Sequence, residues 1–233
     1  MLHPFMEATA EAPGRCKMLV RILYDNIAEE GLEADWGFSC LVGDSLLFDT
    51  GRSLHILRHN LRRMKVETDL IRYLVFSHNH RDHTGGLGIV EDLGDIEVYV
   101  PQSFSQPMIR NLSAFDNVRV IEVSESMQIT ENIWSTGELG SRTKEQSLVV
   151  KTENGVTLVT GCAHPGLENI IDEAQEFGHL YGVIGGFHGF DRLIALETTS
   201  LIAPCHCTSK KDEILGLYNH TARECSVGKS FEV

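Results

Sequence analysis

Residues 70–86 read LIRYLVFSHNHRDHTGG. The apolar run over 70–76, rich in β-branched and aromatic side chains, predicts a buried strand. That strand leads directly into His78, His80, Asp82 and His83, four groups able to ligate a metal within six consecutive positions. Two histidines at i and i+2 of an extended segment project to the same side, so His78 and His80 suit one ion. Asp82 and His83 follow where the chain must turn, within reach of a second ion beside the first. Gly85 and Gly86 permit that turn and a close approach of backbone. Imidazole and carboxylate suit zinc first, with iron or manganese as further options. A solvated His-rich loop would not need a strand behind it to aim its side chains.

Working outward, short Val, Ile and Leu runs alternate with helical patterns along the whole chain. Strands are predicted over 18–24, 38–42 and 45–48, the last two joined by a tight turn at Gly43-Asp44. Apolar residues at 54, 57, 61 and 64 predict a helix over 52–64. Beyond the histidine cluster, strands over 96–100 and 118–121 flank a helix near 103–111. Hairpin-like segments follow at 128–133, 146–151 and 156–160. A helix at 167–177, strands at 181–184 and 201–203, and a helix at 210–218 complete the series. Two similar runs of mixed elements predict an α+β fold with two sheets face to face and helices outside. No Pro-, Gly- or Ser-rich linker divides the chain, so one domain over 18–233 is expected after a leader over 1–17.

Composition narrows the function. The 233 residues carry a formal net charge of −13, which argues against a general nucleic-acid binder. No stretch approaches the roughly 20 apolar residues of a spanning helix, and the N-terminus lacks the apolar core of a secretory signal. The six cysteines are too few and too scattered for a disulfide scaffold in a chain of this length, so reduced thiols and a cytoplasmic location are expected.

Three loops in the second half each place a histidine just past a predicted strand: TGCAHPG at 160–166, GGFHG at 185–189 and APCHCT at 203–208. Loops at one rim of a sandwich can converge, which makes His164 and His206 the candidate partners of the first cluster. His188 reads as a substrate contact or proton-transfer group. Asn26, in the turn after the first strand, either faces the site as a substrate contact or serves the turn alone. Cys205-His206-Cys207 lacks the spaced cysteine pairs of a structural zinc site. The lone Asp-Thr-Gly at 49–51 lacks the second aspartate that aspartic-protease chemistry requires.

The pattern His78-x-His80-x-Asp82-His83 with its TGG extension, and LLFDTG at 46–51, resemble the metallo-β-lactamase superfamily. Together with ADWGFSCLV, TGCAHPG, IGGFHGF and APCHCTS in that order, the chain from about Tyr24 onward is similar to the dihydropterin–ribofuranosylaminobenzene phosphate synthases of the methanopterin pathway and their bacterial relatives. The resemblance implies a four-layer αββα sandwich with one or two divalent metals at one rim. It implies His78, His80 and His164 on the first metal, and Asp82, His83 and His206 on the second. Asp49 would orient a metal-bound histidine, and Asp82 or His188 would shuttle a proton. One departure stands out: the strand end Gly161-Cys162 has cysteine where many members carry a metal-bridging aspartate.

A metal-dependent hydrolase of an ester, lactone or phosphoester is therefore expected. The alternative is a transferase joining a dihydropterin pyrophosphate to a ribofuranosylaminobenzene phosphate, and a third reading is a non-catalytic binding module. The expected partner is a small molecule, phosphorylated or pterin-like, with no nucleic acid and no membrane; a homo-oligomer is left open.

Overall fold

The computed structural model describes residues 18–233, so the leader expected over 1–17 lies outside the described residues. One sheet of seven strands has the order β13-β1-β2-β3-β4-β5-β6, formed by β1 (Leu19–Tyr24), β2 (Ser39–Val42), β3 (Leu46–Phe48), β4 (Tyr73–Val75), β5 (Ile96–Pro101), β6 (Val118–Val123) and β13 (Ser230–Glu232). The other has six strands in the order β12-β11-β10-β9-β8-β7, formed by β7 (Met127–Thr130), β8 (Ile133–Ser135), β9 (Leu148–Thr152), β10 (Gly155–Thr160), β11 (Leu180–Gly186) and β12 (Leu201–Cys205).

Alternation with apolar residues on both faces explains the layering. Val20, Ile22, Cys40, Val42, Leu46, Phe48, Val75 and Tyr99 face Leu148, Val150, Val159, Ile184 and Ala203 across the central core. The intervening Leu41, Leu47, Leu74 and Val98 point the other way, onto Leu57 and Leu61 of helix α1 (Leu54–Arg63). On the opposite side Leu158, Val183 and Ile202 cover Leu167, Ile170, Ile171 and Ala174 of the helix Leu167–Gln175. Period-2 strands buried on both faces and helices with one apolar face leave helix–sheet–sheet–helix as the arrangement that hides every stripe. This is the expected four-layer α+β sandwich.

Some elements differ from the sequence reading. The strand expected over 70–76 is shorter, because Thr68–Leu70 closes a 3-10 turn before β4 begins. The segment at 128–133 straddles the hairpin between β7 and β8. Strand β13 was not anticipated: three residues near the C-terminus carry no period, and only pairing with β1 makes them a strand. The expectation of reduced thiols throughout is corrected by a disulfide between Cys205 and Cys225, with Cys40, Cys162 and Cys207 free among the described residues. No helix among the described residues is long and apolar enough to cross a membrane.

For function, direction matters most. Strands β3, β4, β5 and β6 are parallel, as are β10, β11 and β12. The C-terminal ends of β3, β4, β10, β11 and β12 carry Asp49, the histidine cluster, Cys162 to His164, His188 and His206 respectively. Four of these exits turn through a non-glycine residue at positive φ: Asp49 (54°), Ala163 (57°), His188 (45°) and His206 (46°). Each such residue costs about 1–3 kcal/mol, and clustering at one rim is characteristic of a functional site.

Candidate metal centre

His78 leaves β4 fully buried, and its Nε2 lies 3.0 Å from His80 Nδ1. His80 caps the single-turn helix α2 (Arg81–Thr84), which carries Asp82 and His83 back toward the same point. Gly85 and Gly86 sit against the Asp49-Thr50-Gly51 loop so closely that an added Cβ would fall 2.2 Å from Arg52 O and 2.3 Å from Thr50 O. The close approach clamps the cluster: Thr50 N donates to His83 O at 2.8 Å and Gly86 N to Gly51 O at 3.2 Å.

The buried side chains behind the histidines fix their ring tautomers. Asp49 accepts from Ser77 N, Ser77 Oγ and His83 Nδ1, each at 2.7 Å. Since Ser77 Oγ donates to Asp49, it accepts from His78 Nδ1 at 2.8 Å. His164 Nδ1 donates to Glu145 Oε2 at 2.9 Å, and His206 Nδ1 to Asn26 Oδ1 at 3.1 Å. Four imidazoles therefore have Nδ1–H anchored on a protein acceptor and Nε2 free to ligate, the arrangement in which a second layer of groups sets a metal-binding tautomer.

Glu145 was not anticipated from sequence. It is buried, and its carboxylate accepts from Gly161, Cys162, Ala163 and His164 N–H at 2.8–3.1 Å, a complete cradle for the loop after β10. Burial opposes its ionisation, but the bond from His164, the nearby His78 and the loop amides outweigh it and hold the carboxyl well below the usual range. Its neighbour Gln146 ties the sheets together: its Nε2 donates to Phe76 O at 2.8 Å, and its N to Ser77 O at 2.9 Å. Glu145 stands just before the hairpin-like segment expected over 146–151, and nothing local in the sequence marks it as a buried acceptor.

The donors form overlapping groups, each with all ligand atoms within 4.8 Å of one another: His78, His80 and His164; Asp82, His83 and His206; His78, His83 and Cys162; and Cys162, His206 and Cys207. Two donors about 2.0–2.1 Å from a tetrahedral ion stand roughly 3.4 Å apart. The observed 3.0 Å between His78 and His80 and 3.3 Å between His206 Nε2 and Asp82 Oδ2 fit that spacing. His206 Nε2 is buried without a hydrogen-bond partner, an orphaned acceptor that a cation would satisfy. Burial, then the neighbouring ring of His83 or His206, holds His78 and His83 at about 3, so both are neutral. Burial also lowers His80. Burial pushes Asp49 up to about 8, whereas His206 and His83 overcome it at Asp82 and hold that carboxyl low.

The remaining residues lie around this centre. His188 is exposed, with its ring 5.1 Å from that of His164, beside a hollow of about 320 Å³ lined by His164, Phe187, His188 and Phe190. The Asn26 amide is engaged by His206 at both ends, donating to its carbonyl at 2.8 Å and accepting from its ring. Trp36, unremarked within ADWGFSCLV, is 48% exposed; its Nε1 donates to Asp82 Oδ2 at 2.8 Å and its ring lies 4.7 Å from that of His206.

A candidate metal centre at the rim of an αββα sandwich defines a class that the sequence comparisons specify. The family profile described as the Metallo-beta-lactamase superfamily matches residues 39–201, and the chain belongs to that superfamily. An uncharacterized protein, MJ0448, of Methanocaldococcus jannaschii is 26% identical, over 83% of this chain and 91% of its own. The 7,8-dihydropterin-6-methyl-4-(β-D-ribofuranosyl)-aminobenzene-5′-phosphate synthase of the same organism is 24% identical, over 72% of this chain and 76% of its own. Among solved structures, Tm1679, described as a metal-dependent hydrolase of the β-lactamase superfamily, superposes with a TM-score of 0.76 at 26% identity, covering 93% of this chain and 99% of its own. Membership supports a metal-dependent, hydrolase-like role and a small-molecule substrate.

Proposed function

We propose that the protein is a metal-dependent hydrolase of an ester, lactone or phosphoester. His78, His80 and His164 hold one divalent cation, and Asp82, His83 and His206 hold a second. The observation that carries this reading is the set of four imidazoles with Nδ1 anchored by protein acceptors and Nε2 left to ligate. Zinc suits these donors first, with iron or manganese as alternatives. Bound there, the cations supply Lewis acidity toward a substrate oxygen and make water a competent nucleophile near neutral pH.

The chain's own residues do the rest. Asp49, Ser77, Glu145 and Asn26 hold the imidazoles in place. Asp82, kept ionised and held by Trp36 Nε1, would accept a proton as well as ligate the second cation. His188, exposed above His164, is positioned to deliver a proton to the departing oxygen. The hollow beside it receives the substrate. The test is metal analysis by mass spectrometry coupled to a panel of esters, lactones and phosphodiesters. Metal-dependent turnover of one class, lowered about 100-fold in His188→Ala with unchanged metal content, is expected. A metal-replete protein inert on the whole panel would sink the hydrolase reading.

A second reading, a transferase joining a dihydropterin pyrophosphate to an arylamine, is favoured by the exposed Trp36 indole beside Asp82 and His206, a flat surface for a planar ring. Similarity to the synthase points the same way. There the site would neutralise the departing pyrophosphate, and His188 or Asp82 would take the amine proton. Supplying both reactants to the loaded protein distinguishes the readings: condensation supports the transferase, and release of pyrophosphate without coupling supports the hydrolase.

A further inference from the structure

The thiols of Cys162 and Cys207 stand among the metal donors yet belong to neither triad. Cys162 Sγ lies 3.1 Å from His83 Nε2 and 3.2 Å from Cys207 Sγ. Of all the donors outside the two triads, it groups both with His78 of the first and with His83 and His206 of the second. We infer that Cys162 and Cys207 are thiolate ligands of the centre, Cys162 shared between the two cations and Cys207 completing the second. This rests on the two-cation reading above and deepens it: the centre becomes a mixed sulfur, nitrogen and oxygen site.

The bland account of a buried cysteine is core packing, and Cys40 illustrates it, sealed between the sheets among Ile22, Phe38 and Phe48. Cys162 is equally inaccessible, but its sulfur faces an imidazole nitrogen and a second thiol. The backbone makes room for that second thiol. A Cβ on Gly186 would lie 2.8 Å from Cys207 Sγ and 2.4 Å from Gly161 O, so only glycine lets the 207 loop approach the 162 loop this closely. The facing partner is also available, since His206 Nε2 is buried beside both sulfurs without a hydrogen-bond partner.

Charge and softness argue in the same direction. In the two triads Asp82 is the lone anionic ligand against two divalent cations. Each thiol that binds releases its proton to solvent as a sulfur lone pair forms the bond to the metal, adding one negative charge per cysteine. Two sulfurs on one zinc, at bond lengths of about 2.3 Å, lie roughly 3.3–3.8 Å apart as the angle between them runs from a right angle to a tetrahedral one, so the observed 3.2 Å needs to open by about half an ångström at most. Thiolates favour zinc or ferrous iron over magnesium, calcium or manganese.

The experiment is X-ray absorption on full-length protein purified anaerobically and loaded with zinc, alongside metal stoichiometry by mass spectrometry. The expected result is two zinc ions per chain and a sulfur shell at about 2.3 Å, distinct from the nitrogen and oxygen shell at about 2.0–2.1 Å. Cys207→Ser should weaken the sulfur shell, and Cys162→Ser should weaken it more. Cys162→Asp should keep two zinc ions while losing that sulfur contribution. Cobalt substitution gives an independent readout through the sulfur-to-cobalt charge-transfer absorption, expected to diminish in the same order. Two bound zinc ions with a purely nitrogen and oxygen shell in the wild-type protein would overturn this inference alone. A wild-type protein that binds no zinc would overturn it together with the metal-dependent reading.

Discussion

The two halves of the rim solve the same problem differently. The first supplies His78, His80, Asp82 and His83 from one strand exit and a single helical turn. The second assembles Cys162, His164, His188, His206 and Cys207 from three loops after β10, β11 and β12, whose spacing depends on sheet order. Geometry is local in one half and tertiary in the other. The supports differ accordingly: Ser77 is adjacent to His78 in sequence, whereas Glu145 and Asn26 reach His164 and His206 across 19 and 180 positions.

The sharpest way to break this contrast is His80→Ala. It should remove the cation held with His78 and His164 and reduce turnover by more than the 10–100-fold typical of losing a supporting group. Full metal content and activity would defeat the assignment. Glu145→Gln tests the tertiary half, because an amide cannot accept from four loop N–H groups and His164 at once. We expect a loss of about 2 kcal/mol or more by chemical denaturation of the metal-free protein. Affinity for the His78–His80–His164 cation should fall about 10–100-fold. An unchanged variant would show that the loop after β10 holds itself.

Asn26→Ala should act more narrowly, weakening the His206 cation about tenfold while sparing the other, as read by competition with a chelator. Equal loss of both would mean that the two halves are not separable. A pH series tests the buried imidazoles themselves. In the metal-free protein His78 and His83 stay neutral down to about 3, whereas unfolded imidazole protonates near 6.5. Between those values the unfolded chain binds more protons, so stability falls as pH falls, by about 1.4 kcal/mol per pH unit per group. These two groups predict stability that rises with pH up to about 6.5 in a thermal-unfolding series; stability that instead rose as pH fell from 6.5 to 4 would contradict the neutral state of these imidazoles.

The same contrast explains what could be read in advance. The sandwich was legible because alternation at residues such as Leu46, Leu47 and Phe48, or Leu201, Ile202 and Ala203, is fixed by the strand's own period. The clustered histidines were legible because proximity in sequence guarantees proximity in space. His164 and His206 could be proposed only from the recurrence of a strand followed by a histidine. Glu145, Trp36 and the Cys205–Cys225 pairing carry no local pattern, and their environments exist only once β9, β12 and the chain ends have docked. Strand β13 belongs with them, since its partner lies at the opposite end of the described chain.

The Glu145-Gln146 tie has a kinetic consequence. Its hydrogen bonds join the loop after β10 to the end of β4, so the donor set is complete only when both sheets have met. A cation that recognises only this docked state stabilises the native protein by mass action. Contacts such as Gln146 to Phe76, 70 positions apart, carry a loop-closure cost before they reward folding, so we expect that stabilisation to be largely absent from the folding transition state. Loading should therefore lengthen the lifetime of the folded protein much more than it hastens its formation.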